Sequence, residues 1–264
     1  MGKVERAATA ALCGLCLMLS SGALPAAGRF VVRPPEVKSA EHQALVDAMT
    51  SERVLEEVAS AINQMFIIPQ DVGLKFLECG ESNAYFSPSD MEISMCIELW
   101  EDMDQTLTES YPDEDERSSA VAGAFLGILM HEVGHALVAV LDLPITGREE
   151  DAVDQLSAWV LIESDDADSV LSSAATYYTA EEEAGDEDLA DEHSLNQQRY
   201  YNMVCWVYGS NPETHVGLLE DWGLPEARAE QCEAEYETLR KAWSRLLQDH
   251  LRTDTDTSVQ GRRG

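Results

Sequence analysis

Between Ser118 and Leu141 apolar residues recur at helical spacing (Val121, Phe125, Ile128, Leu129), and the acids Asp113 to Glu116 ahead of them suit the positive end of a helix dipole. Inside this run sits Met130-His131-Glu132-Val133-Gly134-His135-Ala136-Leu137. An apolar core helix tolerates three ionisable side chains only if they satisfy one another or share a ligand, because burying them unpaired is costly. Two histidines four residues apart project from one face, one turn apart, so both imidazoles can reach one ion. Glu132 is rotated about 100° from His131 at 3.6 residues per turn. It therefore faces the open side of a metal, where a carboxylate can hold water and take its proton. The competing reading is a pair of satisfied core histidines with a buried glutamate.

A catalytic zinc needs a third protein ligand and an open position. Leu141 to Gly147 reads as a helix stop and reversal, and Arg148 to Asp154 as the start of a returning helix. Glu150, 15 residues beyond His135, is the expected third ligand. Asp154 lies one turn later on the same face, placed to accept the free N–H of a ligating histidine. Glu149 and Asp151 are expected to point elsewhere, as charges at a helix N-terminus.

Further helices are expected over Ser51 to Phe66, Glu149 to Leu161, Ser169 to Tyr178, Ser194 to Tyr208 and Pro225 to Leu251. Strand signals are confined to a small sheet over about Ile67 to Cys96. There Leu74 to Leu77, Asn83 to Phe86 and Met91 to Met95 read as a hairpin region with a Ser87-Pro88-Ser89-Asp90 turn. Residues 1–27 have the anatomy of a secretory signal peptide: Lys3 and Arg6, an apolar stretch from Ala7 to Leu24, then small residues. No other segment is expected to span a membrane. Export leaves four cysteines in an oxidising compartment, Cys79, Cys96, Cys205 and Cys232. Three pairings are possible. The local ones, Cys79–Cys96 across the strand region and Cys205–Cys232 between neighbouring helices, are expected. Residues 28–252 form one expected domain and 253–264 a disordered tail. Glu181 to Glu192 reads as an acidic loop, a solvated linker or a weak calcium site. With 50 acidic against 17 basic residues and a net charge of −33, nucleic acid and anionic lipid surfaces are poor partners.

HEVGH followed by E-D-A-V-D resembles the gluzincin arrangement HExxH…ExxxD of thermolysin-like zinc metallopeptidases. More closely, the chain resembles a bacterial metallopeptidase family whose substrates are not established. The likeness rests on Cys79-Gly80, Asn83-Ala84-Tyr85, Cys96, HEVGHALV, Pro144, Gly147 to Glu150 and Asp154-Gln155. It continues through Asp191 to Ser194, Gln198-Arg199-Tyr200, Cys205, Tyr208-Gly209 and Cys232. The chain departs from thermolysin itself in length, in its cysteines and in lacking the downstream histidine motif. The resemblance implies an α+β, zincin-like fold, mainly helical, with the sheet over the active-site helix. It also implies a periplasmic or secreted zinc peptidase acting on a peptide or protein. Asn83, Ala84 and Tyr85 are similar to the edge strand that pairs with an extended peptide above the metal. His193 is a candidate donor to the oxyanion of a tetrahedral intermediate, its alternative being a helix-capping histidine. A rival of another class is a secreted binding or scaffold module that keeps the metal shell without turnover. Glu132 favours the enzyme, having no purpose in a purely structural site.

Overall fold

The protein is described by a computed structural model covering residues 27–178 and 185–252. The leader expected over 1–27 lies outside the described residues except for Ala27. The tail 253–264 and the first part of the acidic stretch, 179–184, also lie outside them. The elements run β1 (Phe30–Val32), α1 (Ala40–Ser51), α2 (Val54–Met65), β2 (Val72–Leu77), β3 (Ala84–Ser87), β4 (Glu92–Cys96), α3 (Ile97–Thr106) and α4 (Glu114–Leu141). They continue α5 (Glu149–Glu163), α6 (Ala167–Thr176), α7 (Asp186–Ala190), α8 (Asn196–Ser210), α9 (Leu218–Asp221) and α10 (Glu226–Leu247). The fold is mainly helical with one four-stranded mixed sheet.

The central element is α4. Asp113 caps it, its carboxylate accepting from the N–H groups of Asp115 and Glu116 at 3.1 Å each. This satisfies two donors that a helix start leaves free. The helix ends where Asp142 turns into the left-handed region at φ 52°. Glycines let its neighbours come close. A Cβ at Gly127 would lie 2.6 Å from the Ser173 Cβ on α6, and one at Gly134 would lie 2.8 Å from the Val153 Cβ on α5. So α6 packs against the first half of α4, and α5 returns beside the second half. In turn α8 packs on α5 and α6, and α10 on α8. One continuous core runs through Leu129, Val133 and Leu137 of α4, Leu156 of α5, Val204 of α8 and Leu74 and Ile93 of the sheet.

By length and composition α4 could cross a membrane, contrary to the expectation that only the leader could, but two-thirds of its apolar window is buried inside the fold. A core helix covered on several sides is apolar nearly all round, which is the same pattern.

The strand order is β1-β2-β4-β3. β2 runs parallel to both β1 and β4, and only β3 and β4 form an antiparallel hairpin. The hairpin expected through the Ser87-Pro88-Ser89-Asp90 turn is present as β3 and β4, and the correction concerns β2, which joins β4 in parallel and not as a hairpin arm. The sequence between β2 and β3 reads like a turn, but it carries the chain across β4 to the sheet's outer edge. β1, α1 and α3 were not expected. β1 has three residues, too few to show alternation, and α1 has only Val46 and Met49 fully buried. The helix expected over Ser51 to Phe66 is α2, which starts three residues later at Val54, where Arg53 at φ 61° separates it from α1. Asp186–Ala190, expected as loop, is a short helix.

Both local cysteine pairs are at bonding distance: Cys79–Cys96 joins the end of β2 to the end of β4, and Cys205–Cys232 joins α8 to α10. Next to the second bridge Gly209 lets the helices touch, since a Cβ there would stand 2.2 Å from the Cys232 carbonyl oxygen. Disulfides of this kind belong to an oxidising compartment.

Candidate metal centre

His131 and His135 leave α4 one turn apart, toward the first turn of α5. The close approach at Gly134 sets that spacing, because Val153 fills the place of a side chain between the two helices. Glu150 and Asp154, one turn apart on α5, therefore come level with the two histidines.

His131 Nδ1 donates to Asp154 Oδ1 at 2.7 Å, and His135 Nδ1 donates to Glu149 Oε1 at 2.8 Å. With each Nδ1 holding a proton for a carboxylate, both Nε2 lone pairs face a common point. The two Nε2 atoms are 3.2 Å apart. Glu150 Oε2 is 3.1 Å from that of His131, and Glu150 Oε1 is 3.3 Å from that of His135. Donors about 2.0–2.1 Å from a tetrahedral zinc stand roughly 3.3 Å from each other. Among the described residues this trio is the one cluster of three donors close enough to hold a metal ion. Two imidazole lone pairs and a carboxylate, crowded so closely, suit a cation at their centre. Glu149 is a correction: from the first turn of α5 its side chain reaches back to His135 and does not point away.

The groups behind His131 are as deeply buried as the ligand itself. Asp154 is 3% exposed, and Arg199 of α8 holds both its oxygens, Nε to Oδ2 and Nη2 to Oδ1, at 2.8 Å each. Burial alone would raise the Asp154 carboxyl, but the Arg199 charge and the His131 hydrogen bond bring it down to about 2. Burial also opposes the charge on Arg199, and nearby Tyr177 and Asp154 more than offset this. The guanidinium lies 4.0 Å over the Tyr177 ring. Burial pushes the Tyr177 hydroxyl up to about 12, so it stays an O–H donor at neutral pH. Without metal, burial would also raise Glu150, yet hydrogen bonds from the protonated His131 and His135 and from His193 hold it well below the usual carboxylate range. Burial lowers both imidazoles, and their carboxylate partners reverse this, taking His135 up to about 9 without metal.

Glu132 is 6% exposed and outside the ligand trio. Burial raises its carboxyl, opposed by the charges of His131 and His135, and the Phe86 backbone N–H donates to it. That N–H belongs to β3, the sheet's edge strand. Cys96 N–H donates to the Asn83 carbonyl, so the alternate residues Ala84 and Phe86 turn their backbone groups to the free edge. Asn83 and Ala84 line two clefts of about 330 and 360 Å³ that share His131, Glu132 and His193, and Tyr85 lines the second. His193 lies just before α8 and does not cap it. Its Nε2 is 3.0 Å from Glu150 Oε2, and its Nδ1 is 2.9 Å from Asp191 Oδ1. Arg148 donates to the His193 carbonyl, and Ser194 to Asp151, which fastens this loop to the start of α5.

The sequence reading missed the clamp of Arg199 on Asp154, and Tyr177 beside it. Arg199 lies 45 residues from Asp154 in sequence and Tyr177 lies 23. A buried arginine in an apolar helix was the available signal.

A family described as "putative metallopeptidase" matches residues 35–247, most of the chain. The protein belongs to this family. No curated protein and no solved structure matches it. Membership implies a metal, and the trio of His131, His135 and Glu150 is where one fits.

Proposed function

We propose that the protein is a zincin-like, zinc-dependent peptidase, exported by its leader to the periplasm or beyond and acting on peptide or protein substrates. One observation carries this reading: two imidazole nitrogens 3.2 Å apart, each within 3.3 Å of an oxygen of one carboxylate, with a second, buried carboxylate beside them under a free strand edge. Zinc is the ion best suited to two imidazoles and a carboxylate with a position left open, and there it supplies Lewis acidity and brings the pKa of water to about 7. His131, His135 and Glu150 would hold it, while Asp154 and Glu149 fix the tautomers that turn both Nε2 atoms inward.

The chain's own groups do the rest. An extended peptide pairs with the outward backbone groups of Ala84 and Phe86, which carries the scissile carbonyl past Glu132 and frees the Phe86 N–H from that carboxylate. Glu132 takes a proton from the attacking water at its carboxylate oxygen. As the C–N bond breaks, it gives that proton to the leaving amine. His193, kept as a donor by Asp191, and Tyr177 line the same cleft, and their N–H and O–H groups stabilise the developing negative charge on the carbonyl oxygen.

Glu132→Gln keeps size but cannot accept a proton. The variant should keep zinc and fold and lose peptide hydrolysis by about 10² to 10⁴-fold, measured on a mixed peptide library. A wild type that binds zinc and cleaves nothing, before and after limited proteolysis, would favour the non-catalytic binding module.

A further inference from the structure

A third cleft, of about 560 Å³, is walled by Ser110 and Tyr111 ahead of α4, the end of α6, the start of α8 and the turn after α9. Aromatic residues make up 7% of the chain, yet four of its eight tyrosines line this one cleft, with Trp222. Tyr200 is the hub: its ring centroid is 5.2 Å from Tyr178, 5.1 Å from Tyr201 and 6.0 Å from Trp222, and its hydroxyl donates to the Trp222 carbonyl at 2.8 Å. Tyr201 stands nearly perpendicular to it, at 77°, so ring faces and edges meet around one space. Tyr178 is 54% exposed, a large ring that folding leaves in water.

Among the described residues, the only charged side chain in the lining is Asp221, and no lysine, arginine or histidine lines the cleft. Arg117 touches the Tyr111 backbone, and it is committed to that carbonyl and to Asp104. Aromatic faces are the negative side of the ring quadrupole, and Asp221 in the lining adds a full negative charge. The net charge of −33 adds a long-range field of the same sign. The volume lies within the range of about 300–1,000 Å³ usual for ligand sites.

We propose that this cleft is a second binding site, one that takes the cationic side chain of a lysine or arginine in a polypeptide. The alkyl stem lies along Tyr201 and Trp222, and the ammonium or guanidinium head meets Tyr178, Tyr200 and Asp221. Residues neighbouring these in sequence, Thr176, Tyr177, Asn196 and Arg199, line a cleft at the metal centre, so one pair of helix ends walls both. The choice of a polypeptide as the source of the cation rests on the peptidase reading; the site itself does not.

The test uses the full exported chain, zinc-loaded and carrying Glu132→Gln so that no probe is consumed. The probes are a short labelled lysine-containing peptide, the same peptide with its lysines acetylated, choline, and a neutral oligosaccharide. The lysine peptide should bind saturably at low salt, and acetylation should weaken it at least about ten-fold. Asp221→Asn and Tyr178→Ala should each weaken it by about three- to ten-fold with zinc content unchanged, whereas Glu220→Gln, one residue away, should not. Equal binding of the acetylated peptide, or unchanged affinity in both cleft variants, would overturn the proposal. Choline or the oligosaccharide as the only bound probe would overturn it too. Peptide binding retained alongside a wild type without hydrolysis would sink the peptidase reading alone.

Discussion

The two sides of the metal centre are built differently. On the helix side, His131, Glu132, Asp154 and Arg199 are between 3% and 8% exposed, and each is held by a neighbour on α4, α5, α8 or β3. On the other side, Tyr85 is 40% exposed on an edge strand, and the His193 side chain is 41% exposed on a loop fastened by Arg148 and Ser194. Holding an ion requires donors fixed to within fractions of an ångström, which an apolar helix pair provides by packing. Admitting an extended chain requires unpaired backbone and open space, which the core cannot provide. Mutations on the two sides should therefore separate metal affinity from turnover.

The largest separation is expected at His193. His193→Ala should lower kcat by about 10² to 10³-fold, the usual effect of losing one oxyanion donor, with zinc content unchanged in elemental analysis. If zinc leaves with the imidazole, His193 belongs to the metal-holding side and the division fails. Asp154→Asn should do the reverse. Zinc affinity should fall by roughly 10 to 100-fold in a competition titration against a chromogenic chelator, and excess zinc should recover part of the activity. The smallest effect is on the packing that joins the two helices. Gly134→Ala places a methyl group against Val153 and should cost about 1–3 kcal/mol in urea unfolding. It should also weaken zinc binding, because α5 carries Glu150 and Asp154. A destabilised variant with native zinc affinity would show that the spacing of α4 and α5 does not set the site.

Most of the helix side was legible in the sequence. Histidines four apart in an apolar run, and acids four apart after a helix reversal, each define one face of a helix, and a helix face is a local property. Glu149 was misread because it lies on another face of α5 from Glu150; a long side chain on the first turn still reaches His135. The clamp of Arg199 on Asp154 spans 45 residues, and only the packing of α8 on α5 brings the two together. The sheet was legible in its place but not in its order. Strand pairing between β2 and β4 is parallel and skips β3, and nothing in the local pattern of Leu74 to Leu77 shows which neighbour it takes. The edge position of Asn83 to Phe86, on which peptide pairing depends, follows from that order.

The central claim is that α4 and α5 together hold one ion through His131, His135 and Glu150. Its most direct test is zinc stoichiometry by elemental analysis after chelator stripping, reconstitution and dialysis, for wild type beside His135→Ala. The account predicts one zinc per wild-type chain and little or none in the variant. Undiminished zinc in His135→Ala, with its fold intact by circular dichroism, would contradict it.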